Sequence, residues 1–321
     1  MKINKIILSL ASLAVVCFVS CSKNDVYDRE MYKYVIYLLS EKDHTYTEAY
    51  SLNSEDTVRY FSVGCGGSTP NEEEVTVVLE PDTELLGQYN KSNFDIDTAS
   101  FAVILPQSRY EIASYTVVIP AHSTDQYAKV PVKVRPEGLS PDTIYFIPIA
   151  IKSVSKYEVH PDKYNLLYRV TIENDYAEQK NVTFYYQRGT IQGTSATAPR
   201  SLSGTKTVQP LTKNQVRMFA GDAMQAATST VADIKKHSII VEIAEDNTLT
   251  VKPYGSIEVE LIPQANYNIY TVTEGISGKD EYWFYLSYRY RTLTKPAEGG
   301  NPAEYSEWYT VRESLQRMET E

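Results

Sequence analysis

Glu281-Tyr282-Trp283-Phe284-Tyr285-Leu286-Ser287-Tyr288-Arg289-Tyr290-Arg291 decides how the second half of this chain folds. In an extended strand successive side chains point to opposite faces. Tyr282, Phe284, Leu286, Tyr288 and Tyr290 therefore share one face, and Trp283, Tyr285, Ser287, Arg289 and Arg291 share the other. The first set reads as core. The second mixes two rings with two arginines, which suits a partly wet surface. Shorter runs of the same kind surround it: Val182 to Tyr186, Ile239 to Ile243, Leu249 to Val251, Ser256 to Ile262 and Glu307 to Val311. Glu245-Asp246-Asn247-Thr248 is a turn signal between two of them. The Gly, Ser, Thr and Pro content of residues 189–205 predicts a hairpin with a long mobile loop, and residues 214–227 a short helix that Gly221 keeps from growing long.

The first half reads the same way. Tyr34 to Leu39, Arg59 to Val63, Val75 to Leu79, Tyr115 to Ile119, Ala128 to Val134, Tyr145 to Ile151 and Leu167 to Ile172 are Val, Ile and Tyr-rich runs punctuated by Gly, Pro, Asn and Asp. Such a series predicts a β-sandwich. Pro131 places its strand at an edge, and Pro81-Asp82 announces a helical turn over residues 83–89. The polar stretch 173–180 separates the halves. The fold expected is all-β: an immunoglobulin-like sandwich over 33–176, then an antiparallel β domain, sandwich or open barrel, over 181–321.

The N-terminus reads as an export signal. Lys2 and Lys5 precede an apolar run from Ile6 to Val19, shorter than the ~20 residues of a permanent span. Phe18-Val19-Ser20-Cys21 resembles the lipobox of bacterial lipoproteins, with Phe18 where Leu is usual. Residues 1–20 are thus expected to be removed, Cys21 to carry the lipid, and 21–32 to form a tether. The partly acidic start of that tether resembles the surface-export signal of Bacteroidota lipoproteins. Cys65 is then the one remaining thiol, so the core and not disulfides must hold the fold.

Composition narrows the function. The chain carries 31 basic and 41 acidic side chains, a net charge of −10. It shows no basic stripe, so nucleic acid is a poor partner. The four histidines lie far apart in sequence, and no phosphate-binding loop, GxSxG elbow or metal-ligand spacing occurs; neither a metal nor a cofactor is expected. Asp95-Ile96-Asp97 reads as a solvated loop, although carboxylates that meet only in space leave a glycoside hydrolase open as a rival. The positive feature is aromatic: 27 Tyr and 2 Trp. Flat rings with polar edges suit the apolar C–H faces of sugars, while Asn, Gln, Asp and Arg hold their hydroxyls. The candidate glycan-binding residues are Trp283, Tyr285 and Arg289, joined by Tyr305 and Trp308. Three triplets, beginning at Asp56, Asp97 and Asp142, resemble the O-glycosylation acceptor of Bacteroidota.

Leu105-Pro106, Tyr110-Glu111-Ile112, Val117 to Ala121, Val130-Pro131-Val132, Leu139 to Asp142 and Tyr145 to Ile149 follow one another in an order with a parallel elsewhere. The succession resembles the N-terminal sandwich module of Bacteroides lipoproteins encoded in glycan-utilisation loci. Similar modules stand before endo-β-N-acetylglucosaminidase barrels and in surface glycan-binding proteins. The second half is similar to the β-rich C-terminal domain of the non-enzymatic members, and it is too short for a (β/α)₈ barrel of about 250 residues. The resemblance implies a non-enzymatic, outer-membrane lipoprotein facing the cell exterior. It would capture oligo- or polysaccharide and pass it to an outer-membrane transporter complex. An adhesin or fimbria-like structural lipoprotein is the alternative.

Overall fold

The computed structural model describes residues 33–54, 57–226, 228–275 and 278–318. Cys21, the expected signal and the tether lie outside them, as does Asp56.

The first half contains β1 (Val35–Leu38), β2 (Thr45–Ser51), β3 (Thr57–Gly66), β4 (Val75–Pro81), α1 (Thr83–Phe94), β5 (Val103–Ile104), β6 (Tyr110–Glu111), β7 (Thr116–Ile119), β8 (Tyr127–Val134), β9 (Tyr145–Val154), β10 (Glu158–Val159) and β11 (Asn165–Glu173). One sheet runs β10-β1-β3-β8-β6 and the other β2-β11-β9-β4-β7, with β5 attached to β9. Alternate residues of the two sheets, such as Phe61, Val63, Val130 and Val132 against Val77, Leu79, Ile149 and Val170, fill one core. This is the expected sandwich. At Pro131, β8 pairs with Tyr60 of β3, while β6 reaches only Lys133 and Val134 on the other side. β8 is thus not the expected edge strand, since β6 lies outside it, but the missing N–H of Pro131 falls where the ladder is incomplete.

Helix α1 runs five residues past the expected turn. The Asp82 carboxylate accepts from the backbone N–H groups of Glu84 and Leu85 at its start. Its end is held by Asn90, whose buried side chain both donates to and accepts from the backbone of Ala102, at 2.9 and 2.8 Å. Leu85 and Leu86 seat the helix on Phe146 and Leu167.

The second half contains β12 (Thr183–Gly193), β13 (Arg200–Thr212), β14 (Gln215–Phe219), α2 (Val231–His237), β15 (Ser238–Ile243), β16 (Leu249–Pro253), β17 (Glu258–Leu261), β18 (Ile269–Glu274), β19 (Asp280–Arg291), β20 (Leu293–Lys295), β21 (Glu304–Tyr305) and β22 (Tyr309–Met318). One large sheet follows the order β16-β15-β14-β13-β12-β22-β19-β17, and β18 adds to β19. Its end strands β16 and β17 approach each other, so the sheet curls into a nearly closed barrel around a second core. Phe284, Leu286, Tyr288 and Tyr290 point into that core, as the alternation predicts.

Two expectations are corrected here. Residues 214–227 do not form the expected helix: Gln215–Phe219 is a strand that buries Val216 and Met218 between β13 and β15, and tertiary packing outweighs helix propensity. The helix lies later, at α2, where Thr230 and Asp233 cap each other reciprocally. The hairpin of residues 189–205 is mostly ladder, since β12 extends to Gly193 and β13 starts at Arg200.

Buried hydroxyls tie both cores together. Tyr50 donates to the Val132 carbonyl across the sandwich at 3.2 Å and meets the Tyr168 hydroxyl at 2.6 Å. Burial raises the pKa of Tyr50, Tyr168, Tyr185 and Tyr288 above the ordinary value. Above the ordinary pKa of about 10 the unfolded chain loses these protons while the folded chain keeps them, so stability present below that pH falls as pH rises through it. A pH titration followed at 295 nm is expected to show the buried tyrosines ionising in one cooperative step with unfolding. A gradual, reversible ionisation of all tyrosines near pH 10 would contradict this. Replacing Tyr168 by Phe removes one of these bonds and is expected to lower the urea midpoint by the equivalent of about 1 kcal/mol.

Candidate functional site

The outward face of the barrel wall is built by alternation and register. On β19, Trp283 and Tyr285 lie two residues apart with rings nearly parallel, 9° between planes and 5.8 Å between centroids. Tyr267 meets Tyr285 edge-on at 6.4 Å. Across β22, Trp283 pairs with Gln316 and Tyr285 with Ser314. One strand further, on β12, Gln316 pairs with Tyr186 and Ser314 with Arg188. On β13, Tyr186 pairs with Thr205 and Arg188 with Ser203. The Trp283 and Tyr186 rows are therefore two strand spacings apart, about 10 Å. Phe184 and Tyr186 are 56% and 60% exposed, and Trp283 and Tyr285 are half-buried. The result is a broad, gently curved wall with rings on β12 and β19 and hydroxyl and amide groups between and beside them.

The five residues picked from sequence divide into two groups. Trp283 and Tyr285 belong to this wall. Arg289, Tyr305 and Trp308 come together elsewhere, with Arg289 four residues, roughly 13 Å, along the strand from Tyr285. There the Arg289 guanidinium pairs with Glu260 and lies 4.6 Å from the Trp308 ring centroid. Arg291 pairs with Glu258 at 2.6 Å and lies 4.9 Å from Trp308 and 4.6 Å from Tyr305. Both arginines and both rings thus have their contacts met within the protein, a brace that fastens β17 and the segment before β22 to β19. Ser287, on the same side of β19, is buried beneath Gln264 and Asn268.

Phe184 and Tyr186 are the residues that sequence reasoning missed. Their strand was recognised, but nothing in it said which of two aromatic-bearing faces was the outer one. Among the described residues, no group of three His, Cys, Asp or Glu side chains is placed to hold a metal ion. Asp95 and Asp97 sit in an exposed loop after α1, and Asp97 accepts from Ser100. In the Asp142 triplet the carboxylate is taken up by Arg217 and Tyr254. A shallow depression at the edge of the sandwich, lined by Tyr37, His160 and Lys163, already has its charge engaged: Lys163 lies over the Tyr37 ring at 6.0 Å and Lys33 pairs with Glu158.

A family model of an N-terminal domain matches residues 27–158, and a companion model of a C-terminal domain matches residues 164–316. The chain belongs to this two-domain family. The C-terminal match takes in β11, which in space completes the sandwich between β2 and β9. Solved Bacteroides structures share the whole architecture. A protein of unknown function from Bacteroides ovatus is 18% identical and superposes with a TM-score of 0.68 over 88% of this chain and 94% of its own. A multidomain protein of the same organism gives 0.66 at 18% identity over the same shares. An auxiliary nutrient binding protein from Bacteroides thetaiotaomicron gives 0.60 at 14% identity, over 87% of this chain and 92% of its own. No curated protein matches the chain. At these identities the likeness establishes the fold that the family shares, and the outer wall has to be judged on its own residues.

Proposed function

We propose that this protein is a non-catalytic glycan-binding lipoprotein of the outer membrane. In this reading the barrel wall captures oligo- or polysaccharide for an uptake complex. The observation that carries the reading is the wall itself: a parallel Trp283–Tyr285 pair and, two strands away, open Phe184 and Tyr186 rings, with Gln316, Ser314, Thr205 and Ser203 at hydrogen-bonding positions around them. Two ring sets about 10 Å apart on one face match alternate sugars of a chain lying across the strands. The nutrient-binding relative supports the same reading. A lipid on Cys21 would hold many copies in the membrane plane, where individually weak sites act together.

The test is a glycan array with the purified chain, followed by calorimetry and analysis of products. Binding without cleavage is expected. Tyr186→Ala and Trp283→Ala are each expected to weaken binding about 30-fold, the equivalent of about 2 kcal/mol for a buried aromatic anchor, with the fold intact by circular dichroism. Released reducing ends would make the protein a hydrolase. Failure of a well-folded chain to bind any glycan of a broad array would favour the adhesin alternative.

A further inference from the structure

The wall carries a charge feature that the aromatic reading does not use. The second half of the chain has seven arginines. Five have their guanidinium groups engaged within the protein. Arg200 pairs with Asp222, Arg217 with Asp142, Arg289 with Glu260 and Arg291 with Glu258, while Arg317 lies over Tyr282 and donates to the Asp175 carbonyl. Arg188 and Arg312 are both exposed and have no acidic partner among the described residues. Both point outward from the wall. Arg188 pairs in register with Ser314 and Arg312 with Thr190, so the two are diagonal neighbours on adjacent strands, with Cβ atoms roughly 7 Å apart.

We infer that the glycan held by this wall is anionic, with a carboxylate or sulfate group bound between Arg188 and Arg312; the inference rests on the glycan-binding reading above. Two like charges at this spacing repel each other, and a chain of net charge −10 has carboxylates to spare. None of those among the described residues is placed here. Glu313, next to Arg312 in sequence, points into the barrel, and Glu281 lies beyond Trp283, against Gly275. The pair sits in the middle of the wall. Ser314 separates Arg188 from Tyr285, and Tyr186 precedes Arg188 by two residues on the same face. A sugar stacked on Tyr186 or Tyr285 would bring a ring substituent over the two guanidinium forks. Guanidinium groups suit planar carboxylate and tetrahedral sulfate oxygens, which they can grip with two parallel hydrogen bonds. The backbones are also pressed together at this point: a Cβ on Gly189 would lie 2.1 Å from the Arg312 carbonyl oxygen. Only glycine fits there, and the close approach holds β12 against β22 between the two arginines.

Affinity electrophoresis and calorimetry of the full soluble chain test the inference with charge-matched probes. Polygalacturonate and its fully methyl-esterified form differ in the carboxylate alone, and dextran sulfate and dextran differ in the sulfate alone. Binding to at least one anionic member and not to its neutral counterpart is expected, and which member binds identifies the group. R188Q and R312Q are each expected to weaken that binding about tenfold, with less salt dependence, and to leave tryptophan emission unchanged. A neutral glycan bound with an affinity that neither substitution alters, yet lost in Trp283→Ala, would overturn the anionic assignment and leave the platform standing. Anionic binding that survives Trp283→Ala and Tyr186→Ala but is lost in R188Q would overturn the platform and keep the charge site. Failure of every anionic probe to bind would overturn the inference.

Discussion

Replacing Lys206 by Met is expected to cost the C-terminal barrel about 3–5 kcal/mol, the usual penalty for stranding one member of a buried ion pair. Lys206 and Glu313 are 3.4 Å apart inside the barrel, with side chains 2% and 0% exposed. The surroundings satisfy both. Glu313 accepts from Tyr288 at 2.8 Å and from Gln187 at 2.5 Å, and Lys206 donates to the Phe219 carbonyl at 2.5 Å. The Tyr288 hydroxyl in turn accepts from the Gly221 amide at 2.9 Å, and Gln187 donates to the Gly221 carbonyl at 2.8 Å. Burial pulls the Lys206 pKa down, and the Glu313 carboxylate opposes that shift. With Met at 206, the carboxylate keeps two donors but loses its counter-charge. The double substitution Lys206→Met with Glu313→Gln removes both charges and is expected to recover most of the loss, because the larger part of the penalty comes from the unpaired charge. Both tryptophans of the chain, Trp283 and Trp308, lie in this barrel. Urea unfolding followed by tryptophan emission therefore reports on it selectively. A single substitution that shifts stability by less than about 1 kcal/mol, or a double no better than the single, would show that the pair behaves as if solvated.

The same network explains what could and could not be read from the sequence. On β19 the inward set Phe284, Leu286, Tyr288 and Tyr290 is uniformly suited to a core, so both faces were legible and Trp283 and Tyr285 were correctly placed on the outside. On β12 the inward set is Thr183, Tyr185 and Gln187, and the outward set is Phe184, Tyr186 and Arg188. By polarity the two faces are nearly equivalent. Gln187 can be buried only because Glu313 and the Gly221 carbonyl receive its amide, and these partners lie 126 and 34 residues away. A pattern rule sees neither. The outer aromatic pair of β12 was therefore hidden by a polar core that only the closed barrel assembles. Gln215–Phe219 was missed for a related reason: with fully buried Arg217 in its middle, the run lacks a clean apolar alternation until Asp142 of the other domain is brought to it. The grouping of Trp308 with Trp283 failed on distance along β19. The arginines between them pointed to a wet surface, but in the fold Glu258 and Glu260 on β17 neutralise them.

Removing Asp142 is expected to uncouple the two domains. Arg217 of β14 has no exposed surface, and its guanidinium pairs with Asp142, which lies in the loop before β9 of the sandwich. It is also 5.2 Å from the Tyr254 ring centroid and 3.3 Å from the Gln225 side-chain oxygen. Tyr254 donates to the same Asp142 carboxylate at 3.1 Å. Around this contact the connecting segment is pinned as well. Asn174 donates to the carbonyls of Thr212 and Gln215 at 2.7 and 3.1 Å, and Gln179 donates to the Pro141 carbonyl at 2.9 Å. One carboxylate thus serves a cation and a hydroxyl from the opposite domain, and Asp142→Ala leaves Arg217 charged, buried and without its counter-ion. The expected penalty is again about 3–5 kcal/mol, but its form differs from that of Lys206→Met, because the lost energy belongs to the joint and not to either core. In the parent chain the tryptophan signal of the barrel and the far-ultraviolet circular dichroism of both domains are expected to change together on urea unfolding. In Asp142→Ala they are expected to separate into two transitions, the barrel unfolding first because it retains the stranded charge. Arg217→Met, which removes the charge itself and packs a similar volume, is expected to separate the transitions with a smaller loss in the barrel. Coincident transitions in both variants would show that the domains are held by the surrounding backbone contacts and that the Asp142–Arg217 pair contributes little. The joint bears on the proposed capture because the expected lipid attachment precedes the sandwich while the proposed binding wall lies on the barrel. A rigid connection would fix the direction in which that wall faces, and a loosened one would let it turn. Asp142→Ala is thus also expected to change how well tethered protein binds a polymeric glycan while leaving its affinity for a short oligosaccharide in solution unaltered.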